Sequence, residues 1–475
     1  MVAEMDGTAV DGAGVDGAGV DGAAVAAAEG VPVAGEDGAA AVDRTVCVVG
    51  LGKIGLPLAV QCAGSGWRVL GADVAPLVVR QVNDGETPFP GEPELADRLK
   101  RAVAEGRLTA GGDTAAAVAG ASVVVVAVPL LTAPDHSPDF ALLDAATDAV
   151  AAGLRRGALV SYETTLPVGT VRGRVAERLA ARSGLRPGAD FGLVFSPERV
   201  SSGSVFADLR RYPKLVGGID ERSTRQGVEF YTAVLDFDHR PELPRPNGVW
   251  ALASAEAAEF AKLAETTYRD VNIGLANQFA RYADRIGVDF AEVAEACNSQ
   301  PYSHLHRPGV AVGGHCIPVY PRLYLWGDPS ATVVRAAREA NLAMPGHAVD
   351  RLAAVLDLTD RPVLVLGAAY RGGVKETACS GVFPLVDALW AAGARPYVAD
   401  PLYGAEELTA LGLPPHRGEP VSAAIVQTDH AEYRTLGAEQ LPGVRVLLDG
   451  RRVTDPARWA GVHRIVLGGG AGPSC

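Results

Sequence analysis

A chain of 475 residues exceeds what one hydrophobic core usually supports, so two or three domains are expected. The formal net charge is −13, but nine of the acids (Glu4, Asp6, Asp11, Asp16, Asp21, Glu29, Glu36, Asp37 and Asp43) stand in residues 1–43, where no Lys or Arg does, so only −4 belongs to the rest. An acidic body lacks the basic footprint of phosphate-backbone binding, and no run reaches the roughly 18 apolar residues of a membrane helix, so neither nucleic acid nor membrane is an expected partner and a soluble cytoplasmic protein is expected.

The first 43 residues repeat Val-Asp-Gly-Ala-Gly from Val10 without an aromatic residue to anchor a core, which predicts a disordered acidic Gly/Ala-rich tail. From Arg44 the pattern changes. Apolar runs at Thr45–Val49, Val69–Ala72, Ser122–Val128, Leu159–Tyr162 and Phe191–Phe195 predict buried strands alternating with helices, the wiring of a parallel α/β sheet. No proline occurs between Pro246 and Pro301, and Phe260, Ala264, Tyr268, Val271, Leu275, Phe279, Tyr282 and Ile286 recur at steps of three and four. This predicts one long helix over 250–286 with an apolar stripe. A second α/β block follows Asp360, with a strand at Val363–Leu366, a helix at Gly381–Ala392 and a strand at Pro396–Ala399. The expected fold is therefore α/β: two Rossmann-like parallel-sheet domains joined by a central helical domain that contains the long helix, divided as 44–215, 216–345 and 346–475.

The first strand runs directly into Gly50-Leu51-Gly52-Lys53-Ile54-Gly55, and a helical segment follows. Gly50 allows the tight turn, Gly52 leaves room for a pyrophosphate and Gly55 lets the helix pack close, with Lys53 and Ile54 counted among the contacts to the cofactor. The next strand ends at Asp73, 23 residues beyond Gly50, where a carboxylate accepts from ribose hydroxyls and repels a 2′-phosphate. The expected cofactor is NAD; the bland alternative is a Gly-rich structural turn.

Six cysteines (Cys47, Cys62, Cys297, Cys316, Cys379 and Cys475) lie far apart without a Cys-x-x-Cys pair and read as free thiols, most of them small core residues. Cys316 differs, since Gly313-Gly314-His315-Cys316-Ile317-Pro318 holds it between two glycines and a proline. A free thiol titrates near about 8.5, so a nucleophile here needs a cationic neighbour, with His315 and Lys262 as candidates. A structural cysteine in a Gly-rich turn is the plain alternative. A metal site at His304, His306, His315 and Cys316 fits no common zinc spacing.

Further segments fall into place around that thiol: Thr165-Leu166-Pro167-Val168-Gly169-Thr170, Pro197-Glu198-Arg199, Ala261-Lys262-Leu263, Arg269-Asp270-Val271-Asn272-Ile273, and in the C-terminal part Gly367 to Arg371, Asp400-Pro401, Thr428-Asp429-His430 and Asp449-Gly450-Arg451. With these the sequence resembles the nucleotide-sugar 6-dehydrogenases, the family of UDP-glucose and UDP-N-acetylmannosamine dehydrogenases, over about residues 44–468. The resemblance implies that the C6 primary alcohol of a nucleotide-linked hexose is oxidised to a carboxylate by two NAD⁺ without release of aldehyde, through a thiohemiacetal and a thioester on Cys316.

By matching positions it implies Cys316 as nucleophile, Glu198 as acid or base, Thr165 as a group that positions water and touches the cofactor, and Lys262 with Thr266 as stabilisers of alkoxide and oxyanion charge. Glu198, Arg199, Lys262, Arg269, Asn272, Gly313, Arg371 and Lys375 are the implied substrate contacts. It also implies a nucleotide-binding C-terminal domain and a homodimer formed through the central one. Each has a plain alternative: Lys262 on a solvated face, Glu198 starting a helix, Thr165 as a turn hydroxyl, the apolar stripe buried within one subunit. Three positions depart from the family: Thr266 stands for its asparagine and can still donate a hydrogen bond, Tyr320 for its aspartate, which puts the hydrolytic step in question, and Ala378 for an arginine of the nucleotide-binding domain, where Arg371 and Lys375 are left to serve phosphate. The motifs resemble the N-acetylhexosamine branch and point to UDP-N-acetylmannosamine, with UDP-glucose, UDP-N-acetylglucosamine and GDP-mannose open. A two-electron hydroxyacid dehydrogenase and a catalytically impaired nucleotide-sugar-binding protein are the competing readings.

Overall fold

The first apolar run, Thr45–Val49 (β1), sends Val46 and Val48 into one hydrophobic layer and Cys47 and Val49 into the opposite one, so every position is buried. A strand covered on both faces has no polar side to show, which is why these runs are continuous instead of alternating. The computed structural model describes residues 44–470; the acidic tail expected to be disordered, and Cys475, lie outside the described residues.

β1 is followed by Arg68–Ala72 (β2), Leu108–Gly111 (β3), Val123–Val126 (β4), a small antiparallel ribbon of Leu131–Thr132 (β5) and Pro138–Asp139 (β6), then Leu159–Tyr162 (β7), Gly192–Phe195 (β8), Lys214–Gly218 (β9) and Val249–Ala251 (β10). They form an eight-stranded sheet in the order β10-β9-β8-β7-β4-β1-β2-β3. All neighbours are parallel except β8 and β9. The order reverses between β1 and β4, and a doubly wound sheet binds its ligand in the crevice at such a switch point. The division expected at residue 215 falls inside β9; the sheet continues to Ala251.

The second sheet is smaller and wholly parallel: Pro362–Leu366 (β11), Arg395–Ala399 (β12), Ala423–Val426 (β13), Val446–Asp449 (β14) and His463–Val466 (β15), in the order β12-β11-β13-β14-β15. β11 repeats the logic of β1, with Val363 and Val365 in one layer and Leu364 and Leu366 in the other.

Between the sheets runs the helix Ala255–Ile286, about 48 Å long at 1.5 Å per residue. Ser254 caps its start by accepting from the Ala257 N–H, and Gly287, at φ 73°, ends it in the left-handed conformation. The expected start at residue 250 is corrected, because Val249–Ala251 is drawn into the sheet as β10. The buried face also differs from the apolar stripe. It carries small and polar residues, Lys262, Thr266, Asp270, Gly274, Asn277 and Ala280 among them. At Gly274 an added Cβ would stand 2.9 Å from the Ala337 carbonyl oxygen, so the neighbouring helix Thr332–Leu342 lies almost backbone to backbone. Arg338 and Asn341 of that helix donate to Asp270 at 2.6 and 2.7 Å, and Asn277 donates to Asn341 at 2.8 Å. The stripe read from the sequence is exposed, with Tyr268 at 58% and Ile286 at 51%. A single subunit therefore does not bury it.

Candidate active site

At the end of β1, Gly50 takes φ 91°, a conformation that favours glycine. A Cβ on Gly55 would lie 1.8 Å from the Gly50 carbonyl oxygen, so only glycine lets the helix Gly55–Gly64 start there. A Cβ on Gly52 would meet nothing within 4 Å, which is the open ground a pyrophosphate needs above the first turn. Asp73, just past β2, accepts from the Leu51 N–H at 2.8 Å and from the Ala75 N–H at 2.9 Å, so its carboxylate braces the turn from the ribose side. These residues fit a dinucleotide. Ile54 opens the helix, and Lys53 is turned to the C-terminal half, where it pairs with Glu376 at 2.7 Å.

Glu376 also holds His315, and the hydrogen bonds from His315 first and Lys53 next keep its carboxyl down to about 2 against the effect of burial. His315 is thus engaged away from the sulfur, and Lys262 is the cation that faces Cys316. Its chain is buried on the long helix, and its Nζ donates to the Glu198 carbonyl at 2.6 Å. Burial lowers the Lys262 ammonium below the ordinary lysine range, while Cys316, Glu265 and Glu198 pull it back up. The Cys316 turn is half-buried, and the two glycines before it are explained by protein packing. A Cβ on Gly313 would lie 2.6 Å from the Tyr370 Cβ, one on Gly314 3.1 Å from the Tyr370 ring, and the Gly314 N–H donates to Ala378 at 2.8 Å. Loops after β11 therefore press directly on the turn that carries the thiol.

Thr165 is buried on the loop after β7. That loop is tied to the long helix by Glu259, which accepts from the Gly169 and Val171 N–H groups at 2.5 and 2.8 Å; burial pushes the Glu259 carboxyl up to about 7 despite both bonds. Tyr320 stands one helical turn after Cys316, its N–H donating to the Cys316 carbonyl at 2.9 Å. The Lys262 Nζ lies 5.7 Å from the centre of its ring. Its hydroxyl faces Thr165 and Cys316, and burial pushes it well above the ordinary phenol range, so it remains an O–H at neutral pH.

Thr165, Glu198, Lys262, Cys316 and Tyr320 thus come together, whereas several expected contacts do not join them. The Thr266 hydroxyl donates within its own helix, to the Lys262 and Leu263 carbonyls at 3.0 and 3.1 Å, and is not turned to an oxyanion. Arg199 is clamped to Glu265 at 3.0 and 3.1 Å. Asn272 donates back to Tyr268 at 2.8 Å, and Arg269 is exposed beside His306, whose imidazole is lowered by burial and then by this arginine. Arg371 donates to the Ser202 carbonyl at 2.9 Å, and Lys375 pairs with Glu407. The sequence reading missed Lys214, Glu163 and a cavity of about 560 Å³ lined by His306, Arg307, Arg451 and Arg452, one wall of which is the segment leading to Cys316. Of the arginines there, Arg451 stands 3.7 Å from Asp429 and Arg452 pairs with Asp289 at 2.6 Å. Among the described residues no three His, Cys, Asp or Glu side chains gather to hold a metal ion, and no helix is long and apolar enough to cross a membrane.

Comparison with known proteins gives one family for three successive parts of the chain. Residues 44–235 match the NAD-binding domain of the UDP-glucose/GDP-mannose dehydrogenase family, residues 256–342 its central domain and residues 364–456 its UDP-binding domain. A UDP-N-acetyl-D-mannosamine dehydrogenase of Pyrococcus horikoshii is 33% identical over 418 residues, covering 86% of this chain and 95% of that protein. An NDP-N-acetyl-D-galactosaminuronic acid dehydrogenase of Ralstonia solanacearum is 30% identical over 88% of this chain and 98% of its own length. The solved structure of the Pyrococcus horikoshii UDP-D-ManNAc dehydrogenase superposes with a TM-score of 0.79 at 30% identity, covering 90% of this chain and 99% of that one.

Proposed function

The chain belongs to the UDP-glucose/GDP-mannose dehydrogenase family and is an NAD-dependent nucleotide-sugar dehydrogenase, and from that premise we propose that it oxidises C6 of a UDP-N-acetylhexosamine, UDP-N-acetyl-D-mannosamine first, to the carboxylate. The observation that carries the chemistry is the half-buried Cys316 facing the Lys262 ammonium across a site that also holds Glu198 and Thr165. The balance is one alcohol, two NAD⁺ and one water giving one carboxylate, two NADH and three protons. NAD⁺, when bound, accepts the hydride in each of the two oxidations.

The residues of this chain divide the remaining work. Gly50, Gly52 and Gly55 shape the turn for the pyrophosphate, with Lys53 and Ile54 at its rim, and Asp73 faces the ribose. Glu198 takes the proton of the C6 hydroxyl, and Lys262 stabilises the negative oxygen. Cys316 sulfur bonds the aldehyde carbon to give a thiohemiacetal, which the second oxidation turns into a thioester. Water then attacks that carbon, its proton passes to Glu198, the carbon–sulfur bond breaks and the thiol is regenerated. Tyr320 contributes an O–H donor beside Thr165 and Cys316, in the place of the family's aspartate. It is no base at neutral pH, so this role rests with Glu198. The arginine-lined cavity between the C-terminal sheet and the helix Phe290–Asn298 is assigned to the nucleotide diphosphate, with the C-terminal part from residue 346 as the nucleotide-binding domain and the helical part after β10, to residue 345, as the central one.

The sugar is tested by a panel of UDP-N-acetylmannosamine, UDP-N-acetylgalactosamine, UDP-N-acetylglucosamine, UDP-glucose and GDP-mannose. The first is expected to reduce NAD⁺ with the highest kcat/KM, at two NADH per sugar consumed. One NADH per sugar would mean that oxidation stalls before hydrolysis, and none with retained ligand binding would leave a binding protein.

The exposed stripe on the long helix supports a homodimer, since Tyr268, Leu275, Phe279, Tyr282 and Ile286 form a continuous apolar face that water would otherwise cover. Sedimentation of the wild type is expected at twice the chain mass of 49.1 kDa, and Phe279→Glu with Tyr282→Glu is expected to give the single mass. A wild type that sediments as one chain would exclude the dimer.

A further inference from the structure

At the floor of the site three charges are stacked, with Glu198 on the cleft side and Lys214 and Glu163 behind it. Glu163 follows β7, Glu198 follows β8, and Lys214 opens β9, so adjacent strand ends bring them together. The Lys214 side chain is 4% exposed and Glu163 0%, with Glu198 at 10% on the cleft side. The Lys214 Nζ stands 3.0 Å from Glu163 Oε1 and 2.9 Å from Glu198 Oε2. Tyr231, from the helix Glu221–Val234, donates to Glu163 Oε1 at 2.7 Å, and its ring lies 4.9 Å from the ammonium. Glu163 Oε2 is buried without a hydrogen-bond partner. The other titratable group facing Glu163 is Cys62 of the helix Gly55–Gly64. Glu198 additionally faces Lys262, the Arg199 N–H at 2.7 Å and, beyond Lys262, Cys316, while the Arg199 guanidinium is held by Glu265.

We propose that Lys214 is the positioning residue for the Glu198 base, and that Glu163, paired to the same ammonium from the far side, keeps Lys214 neutralised while Glu198 carries a proton. This rests on the reading of Glu198 as the base. In the hydrolytic step an O–H bond of water breaks, its oxygen bonds the thioester carbon, and its proton moves to Glu198, which becomes neutral. An ammonium buried to this depth with a single carboxylate partner would be stranded at that moment, and a stranded buried charge is strongly unfavourable. With two partners it is not. Glu198 can gain and lose its proton while Lys214 remains paired, and Lys214 itself never exchanges one with the substrate.

The electrostatics agree with the geometry. Burial alone would raise both carboxyls; Lys214, with its hydrogen bond, brings Glu198 below the ordinary range, whereas Glu163 is left above it. Of the two, Glu163 is the first to be protonated as pH falls. Glu198 must be ionised to act, so activity is lost on the acid side as pH falls through its pKa, and removing Lys214 moves that limb to higher pH.

The test is the pH profile of kcat/KM in the full-length enzyme with NAD⁺ and its best nucleotide sugar. The paired exchange Lys214→Met with Glu163→Gln removes one buried charge of each sign and so strands no ion. Its acid limb is expected to rise by about 1 to 3 pH units. Glu163→Gln alone keeps the shape and leaves Lys214 to Glu198, so its limb is expected at or below the wild-type position, with a lower kcat because the base is weaker. A paired variant whose limb stays in place, or a Glu163→Gln limb that rises as well, would overturn the proposal, since a network that merely supports the fold is damaged by either cut. Glu198→Gln separates the two levels: if it keeps the wild-type limb and rate, the reading of Glu198 as base falls, whereas if it abolishes activity and the paired variant shows no shift, only the role of Lys214 falls.

Discussion

Cys316→Ala is expected to lower steady-state NADH production by about three orders of magnitude or more, with binding of NAD⁺ and nucleotide sugar retained. The sulfur is the one group in the site able to hold the sugar by a covalent bond between two oxidations, and no other thiol of the described chain lies beside Lys262. Cys47 and Cys62 are buried in the first sheet's layers, where burial pushes both thiols up. Whatever NADH the variant still forms is expected at one per sugar consumed, because an untethered aldehyde leaves. Mass spectrometry of the wild type, quenched during turnover, is expected to place a sugar-sized adduct on the peptide with Cys316. An alanine variant with unchanged rate and stoichiometry would instead establish a simple two-electron dehydrogenase.

Lys262→Met is expected to cost roughly 10²- to 10³-fold in kcat, the scale of removing one preorganised donor from a developing oxyanion. The position is demanding for two reasons. The ammonium is almost out of water, where its field is little screened, and it is aimed by its bond to the Glu198 carbonyl at 2.6 Å. Lys262→Arg is not expected to restore the rate, since a planar guanidinium is larger and places its charge differently. Kinetics that change in KM alone would remove Lys262 from the transition state and leave it as a binding group.

Much of this was legible in the sequence, for physical reasons. Strands buried on both faces, such as β1 and β11, are apolar at every residue, and a pyrophosphate turn imposes its glycines at fixed spacing. Cys316 was marked by its glycines, although what those glycines accommodate is Tyr370 and the loop near Ala378. The rest depends on contacts that spacing does not encode. β10 is two half-exposed residues and one exposed one, and reads as the start of a helix until β9 offers it hydrogen bonds. Arg199 had the look of a substrate contact because nothing local shows that Glu265 awaits it across the fold. Lys214 opens a short strand rich in glycine and looks like a surface lysine, and its two carboxylate partners sit on the loops of two earlier strands. On the long helix the apolar stripe exists and lies exposed on the single chain, while the small residues of the face turned inward, Gly274 and Ala280 among them, carry no periodic signal of their own.

Glu376 grips Lys53 on the turn after β1 and His315 next to the nucleophile with one carboxylate. The dinucleotide turn and the sulfur-bearing turn are thereby linked in series through a third segment of chain. Because both turns hold the same carboxylate, displacing either one disturbs a contact on which the other's side chain also depends.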